Sequence, residues 1–434
     1  MGTGVIDTGE YLPDSIPLTK NTWYISLAPS TMYPPIKPFN GHIAKNIKDR
    51  VIESDILNNI ENLVISSYLY EPSSTGDMTE WVRQSLSYVS QTNFFPKLKN
   101  VYVLYDSMLF DHTNIRSTYN VKKIFLPYFL LRSTMGKEMG TKYSPNTWSP
   151  NGKRALFLIG DMLRINRFPV LYEFYRNSDL HKLEYSLDYN YIGRFSNINQ
   201  FYNTDTFKKF LSFMKEAYNL NYNEFKKKYT LLERKLVEDS FDAKVKSALF
   251  SHFDISAYHY PKQWANSSLI ITMETQFFNI ISEQPNSKET NTFTEKIWKP
   301  ISTRKPFILC SDKDYQYSIL ESMGFKTFLE YTSHPNKISH SYKDMTDKSY
   351  YPKLAYQRTC SFLNNMSKHE RQIKNDTEHN YSLWLKLGKE LWEKLYIECP
   401  VIQEIPKHNI INLCLLAGEN NYITDQNMLT KIFS

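Results

Sequence analysis

Short apolar runs rich in β-branched residues recur along this chain, and they decide what it can fold into. They read "NLVISSYLY" (62–70), "NVYVLYDS" (100–107), "KKIFLPYFLL" (122–131), "RALFLIG" (154–160), "SLIITMET" (268–275) and Pro306 to Cys310. Runs of this length, bounded by polar turns, are buried strands rather than helices. Helical spacing fills several of the gaps. It runs from roughly Met78 to Val89, through "FPVLYEFYRNSDL" with Pro169 in its first turn, and over 205–249. Strand, helix, strand is the α/β pattern, and α/β sheets hold their ligands at the carboxyl ends of strands.

Composition narrows the function classes. At 434 residues, with 41% hydrophobic and 22% charged, the chain buries a core and has room for two or three domains. Aromatic residues make up 15% against 13 glycines, which excludes collagen-like and low-complexity classes. The net charge of +7 favours polyanionic partners such as nucleotides, nucleic acid or acidic lipid. Cys310, Cys360, Cys399 and Cys414 form no C-x-x-C pair, so neither a zinc site nor a disulfide framework is expected. A reduced, cytoplasmic setting fits them, the host cytoplasm if the protein is viral. The first residues show no basic start followed by an apolar run, and Ile6 stands where a myristoylation motif needs Ser or Thr. No stretch approaches a membrane span. The N-x-S/T triplets, such as Asn266-Ser267-Ser268, read as chance.

The polar segment "GKEMGTKYSPNTWSPNG" (136–152) marks a boundary. We expect an N-terminal α/β domain over 1–150, a second α/β domain over 151–350 and a helical extension over 351–434, amphipathic between Leu383 and Tyr396. Between Lys208 and Lys235 eight Lys/Arg face three Glu, a balance of +5. That is a solvated helical face or, in a sharper reading, a phosphate-contacting surface. After Cys310 a helix should end near Met323 with Gly324 as its cap, followed by a strand over Phe325–Leu329.

One stretch carries chemistry: "NTFTEKIWKPISTRKPFILCS" (291–311). Thr294 is a good N-cap, and the helix start behind it offers unpaired N–H groups and partial positive charge, which suit a phosphate. Lys296 adds a full charge, and Glu295 has two oxygens for a pair of ribose hydroxyls. Pro300 limits this helix to a turn or two. The same residues also make an ordinary capped helix start with a solvated lysine. Context favours the pocket: Glu274 and Thr275 end the preceding strand, and "RINR" supplies Arg164 and Arg167 after another. Arginine grips diphosphate in fixed bidentate geometry.

"FTEKIWKPISTRKPFILCS…LESMGFKTF" resembles the donor-binding segment of fucosyltransferase-like enzymes, the family 10 glycosyltransferases. It is also similar to viral and phage proteins that carry a T-E-K-x-W-K-P block, then P-F-I, then G-F-K-T-F. "FLIGDMLRINRFPVLYEFYRNSDL" looks like that group's strand, Arg-rich loop and helix, with Asn166-Arg167 where a His-Arg pair commonly stands. The resemblance covers roughly Arg154–Leu329. It implies a GT-B-like fold, two Rossmann-type domains facing a cleft with the donor held by the C-terminal one. It implies that Glu295 holds ribose and that Lys296 and Arg167, with Arg164 beside it, hold the diphosphate. The chemistry would be inverting transfer from a nucleotide sugar to an acceptor hydroxyl, with no required metal. Positive side chains would stabilise the departing diphosphate, and a carboxylate of the N-terminal domain, Glu71 or else Asp106, would act as base.

Other readings stay open. Asp312-Lys313-Asp314 is a D-x-D that could bridge a divalent metal to a diphosphate. The acceptor could be hydroxylated bases of viral or phage DNA, or a glycan, lipid or protein. The chain could also be a non-catalytic nucleotide-sugar or nucleic-acid binding protein. His252 and His259 read as core or surface residues, and no G-x-x-x-x-G-K-[ST], H-E-x-x-H or G-x-S-x-G motif is present.

Overall fold

The computed structural model describes residues 15–17, 20–26, 58–66, 86–87, 89–91, 95–105, 117–125, 148, 150, 152, 154–160, 167–187, 205–225, 227–228, 267–273, 293, 295–310, 314–338 and 346–403. The chain forms two units. One comprises Met1–Arg132, Asn286–Thr292 and Gly388–Ser434, and the other Ser133–Pro285 and Phe293–Leu387.

The first unit holds a five-stranded sheet of β1 (Ser15–Pro17), β2 (Thr22–Ser26), β3 (Asn62–Ser66), β4 (Asn100–Tyr105) and β5 (Asn120–Phe125), in that order. β1 is antiparallel to β2, and the rest are parallel. Leu63, Val64 and Ile65 on consecutive positions of β3 are all buried, as expected of a parallel strand covered on both faces. Thr22, Asn62, Asn100 and Asn120 open their strands opposite one another. The Asn100 amide donates to Asn62 Oδ1 (3.0 Å) and that of Asn120 to Asn100 Oδ1 (3.1 Å). A slip of one residue would break this amide ladder and invert every side chain, so the ladder pins the register.

The second unit contains, in chain order, β6 (Ala155–Gly160), α1 (Arg167–Arg176), β7 (Leu183–Leu187), α2 (Asp205–Tyr218), β8 (Leu269–Met273), α3 (Glu295–Ser302), β9 (Phe307–Cys310), α4 (Tyr315–Ser322), α5 (Tyr350–Asn365) and α6 (Glu370–Glu398). Its sheet is wholly parallel, in the order β7-β6-β8-β9. Every residue of β8 and β9 is buried. α1 is buried continuously from Arg167 to Phe174. Phe168 meets Phe225, Tyr172 meets Tyr218 and Phe174 meets Tyr356, all edge to face at 5.0–5.3 Å. α5 packs on α1, β8 and β9. α6 belongs to this unit up to Leu387 and to the first unit from Gly388.

Three helices of this unit close in the same way. After α4, Phe325 N–H bonds to Leu320 O and Gly324 N–H to Glu321 O, both 2.9 Å, with Gly324 at φ +93. This is the Schellman arrangement, and it is the cap that Gly324 predicts. α1 and α3 repeat it with Ser178 (φ 62) and Arg304 (φ 53) at the left-handed position. The short α3, with Pro300 inside it, also follows the sequence expectation.

Phe325–Leu329 departs from expectation. It forms no strand: Phe328 takes a left-handed conformation (φ 64) and a 3-10 turn occupies Leu329–Tyr331. The side chain of Asn380, on α6, bonds both the N–H (2.7 Å) and the C=O (2.9 Å) of Lys326, which occupies that backbone with a side chain instead of a strand partner. The outward N–H of edge strand β9 at Leu309 is likewise taken by Tyr317 Oη, at 2.6 Å. β2 and β7 are strands that the sequence reading passed over.

Candidate functional site

The strand order fixes where a ligand can sit. From β6 the chain moves to β7 on one side, then returns across β6 to place β8 on the other. The order therefore reverses between β6 and β8. In open parallel sheets a crevice forms at the carboxyl ends of the strands where this happens, and ligands bind there.

Three of the predicted donor residues, Arg167, Glu295 and Lys296, stand at the starts of helices that follow strands of this sheet. Arg167 is the first residue of α1, the helix that follows β6, and it is buried. Glu295 and Lys296 open α3, the helix between β8 and β9 that packs on both. Only 303–306 separate the end of α3 from the start of β9. An eight-residue helix is about 12 Å long at about 1.5 Å per residue, and four strand residues span about 13 Å. The start of α3 therefore lies level with the carboxyl end of β9, and the positive end of its dipole points toward that edge. Lys296 is half-buried there.

Glu274 and Thr275 directly follow β8 in the sequence. They lie outside the described residues, as do Arg164, Thr294, Asp312, Glu71 and Asp106 and the side chain of Glu295. Sequence reasoning overlooked Thr272. It is buried one position before the end of β8, and its hydroxyl has no hydrogen-bond partner among the described residues. The signal was the threonine near the carboxyl end of "SLIITMET".

The other half of the D-x-D is Asp314, and its carboxylate is already committed. Arg358 Nη1 and Nη2 donate to its two oxygens at 2.8 and 2.6 Å, and the Ile338 N–H adds a third bond at 2.9 Å. The acid is 1% exposed and the arginine 2%. A carboxylate held in this way is not poised for a cation. Among the described residues, no three His, Cys, Asp or Glu side chains converge as a metal site would need.

Thiol chemistry is disfavoured as well. Burial pushes the Cys310 thiol, at the end of β9, up to about 12. Burial first, and then the Asp179 carboxylate against the opposing pull of Lys182, leaves Cys360 at about 11. Both are therefore neutral near pH 7 and poor nucleophiles.

At the opposite, amino end of the sheet several side chains bind the backbone of the turns. Trp148 Nε1 donates to Ser268 O (2.8 Å) and Lys305 Nζ to Ser267 O (2.9 Å). Arg304 pairs with Glu378 (2.8 Å) and lies 3.7 Å over the Tyr381 ring. His379 Nε2 is 2.9 Å from Gly324 O. The run 378–381 of α6 therefore fastens the turns on either side of β9 and α4.

Among the described residues no helix is long and apolar enough to cross a membrane. No family model matches the chain, and no curated protein or solved structure matches it either.

Proposed function

We propose that the chain is a glycosyltransferase of GT-B type that holds a nucleotide sugar at the carboxyl end of the second unit's sheet and moves the sugar to an acceptor hydroxyl. The observation that supports this reading is the reversal of strand order between β6 and β8, with Arg167 opening the helix after β6 and Lys296 opening the helix after β8. In this reading Lys296, Arg167 and Arg164 neutralise the diphosphate, and the start of α3 adds the positive end of its dipole. Glu295 takes the ribose hydroxyls, and Glu274 and Thr275 close the pocket after β8. A carboxylate of the first unit, Glu71 or Asp106, takes the acceptor proton. Inversion needs no covalent intermediate, and the cationic side chains do for the leaving diphosphate what a metal does elsewhere. The net charge of +7 is compatible with hydroxylated DNA bases as acceptor, and a glycan, lipid or protein acceptor fits the same reading.

A thermal-shift screen of nucleoside diphosphates and nucleotide sugars, with and without EDTA, tests the reading, because a ligand of the folded state raises Tm by mass action. The expected result is a selective shift that survives EDTA and disappears in Lys296→Ala while the fold is kept. An unchanged affinity in Lys296→Ala sinks the pocket. A shift that EDTA abolishes makes the metal a partner in binding. Binding without sugar transfer to any acceptor leaves a binding protein.

A further inference from the structure

Two carboxyls of the second unit share one charge neighbourhood and fare oppositely. Asp347, just before α5, is saturated. Its Oδ1 accepts from Ser349 N–H (2.9 Å) and Ser349 Oγ (2.6 Å), and its Oδ2 accepts from Lys353 Nζ (2.8 Å). Against the cost of burial, these bonds hold it below the ordinary aspartate range. Glu173, midway along α1, is buried and starved. Its Oε1 has no hydrogen-bond partner among the described residues, and its Oε2 has only the exposed Arg176, with Nε at 3.3 Å. The Tyr218 hydroxyl, at the end of α2, is buried and equally without a partner. Tyr218 and Glu173 each shift the other's titration, so they are neighbours that no aligned hydrogen bond joins. Arg176 touches both, its guanidinium carbon 5.7 Å from the centre of the Tyr218 ring. Burial works against a charge on Glu173, and so does Asp347. Arg176, Tyr218 and Lys353 favour the charge, and burial prevails. Tyr218 does not titrate in its place, because burial and then the Glu173 charge push its phenol well above the usual range.

A carboxylate that ionises inside a packed unit is costly unless water reaches it. The wall that yields is α2. The start of α5 is fixed by the three bonds to Asp347, whereas the end of α2 meets α1 through rings, Tyr218 against Tyr172 at 5.0 Å. We propose that Glu173 is a proton-operated latch where α1, α2 and the start of α5 meet. With the proton on Glu173, the end of α2 stays docked on α1. When the proton leaves for solvent, the end of α2 lifts and admits water to the carboxylate. The latch does not depend on what the candidate site binds.

Amide exchange of the full chain between about pH 5 and about pH 9, corrected for the intrinsic pH dependence of exchange, tests the latch. The amides to follow are those of 215–220, where Asn219 N–H bonds to Lys215 O and Leu220 N–H to Met214 O. In the wild type their protection is expected to fall roughly threefold to thirtyfold as pH rises, since one unit of pKa difference is worth tenfold. The amides of α6 over 370–387 should keep theirs. Glu173→Gln should hold the low-pH protection of 215–220 throughout. Tyr218→Phe, which keeps the ring and removes the hydroxyl, should still lose protection as pH rises, because the acid and not the phenol titrates. Wild-type protection that ignores pH, or a loss spread evenly over α2 and α6, overturns the latch. So does a pH dependence that persists in Glu173→Gln or vanishes in Tyr218→Phe. Should Glu173→Gln not fold, Glu173→Leu removes the proton with similar bulk, and the same outcomes decide.

Discussion

The two ends of the second unit's sheet are built differently. The amino end is fastened by local devices and one helix. α1, α3 and α4 all finish there in Schellman turns, and residues 378–381 of α6 bind the neighbouring turns. The carboxyl end carries the starts of those helices, two basic residues on α1 and α3, and the long-range Asp314–Arg358 ion pair. In α/β folds, chemistry collects at the carboxyl ends of strands. On the proposed function, the contrast means that the amino end can be altered at a cost in stability alone, whereas changes at the carboxyl end also reach ligand binding.

Arg358→Met is expected to break this contrast most severely. It strands the Asp314 carboxylate in the core, at a cost of about 3–5 kcal/mol by urea denaturation, much of it recovered in the double variant Asp314→Leu/Arg358→Met. A double variant no more stable than Arg358→Met would mean that the stranded charge is not the cause. Asn380→Ala removes two bonds to the Lys326 backbone and should cost about 1–3 kcal/mol, with nucleotide affinity untouched. Gly324→Ala forces a side chain into a left-handed position, and its Cβ would meet Leu383 Cδ2 at 3.2 Å. A Tm drop equivalent to about 1–2 kcal/mol is expected, again with no effect on binding.

The smallest effect should come from Glu173→Gln, midway along α1. Burial raises the Glu173 carboxyl above its usual range, against the opposing pull of Arg176. The folded state therefore holds that proton more tightly than the unfolded one. Its contribution to stability is full below the ordinary glutamate range and is lost as pH rises through the raised value. The glutamine variant should match the wild type at low pH and exceed it above neutrality. Parallel stability–pH curves for the two proteins would show that Glu173 carries no such linkage.

Much of this architecture could be read from short-range pattern. The apolar runs became β3–β6, β8 and β9, and Gly324 announced the cap of α4. The other two Schellman turns use Ser178 and Arg304, residues with no preference for a left-handed backbone, so nothing local marks them. β7, "LEYSL", alternates too briefly to stand out, and β2, "TWYIS", was passed over despite its β-branched and aromatic residues. Phe325–Leu329 has strand composition, yet an asparagine 54 residues away occupies its backbone. The basic residues of the candidate site were singled out from two local stretches, T-E-K and RINR. Arg358 was not, because its meaning depends on a partner 44 residues distant.

One small contact reaches beyond the single molecule. The outward N–H of Leu309 on edge strand β9 is spent on the Tyr317 hydroxyl. A strand from another copy, arriving along that edge, would find its hydrogen-bond row already interrupted by a phenol. The sheet thus carries its own stop against growth by strand addition, the route by which bare edges turn folded chains into fibres.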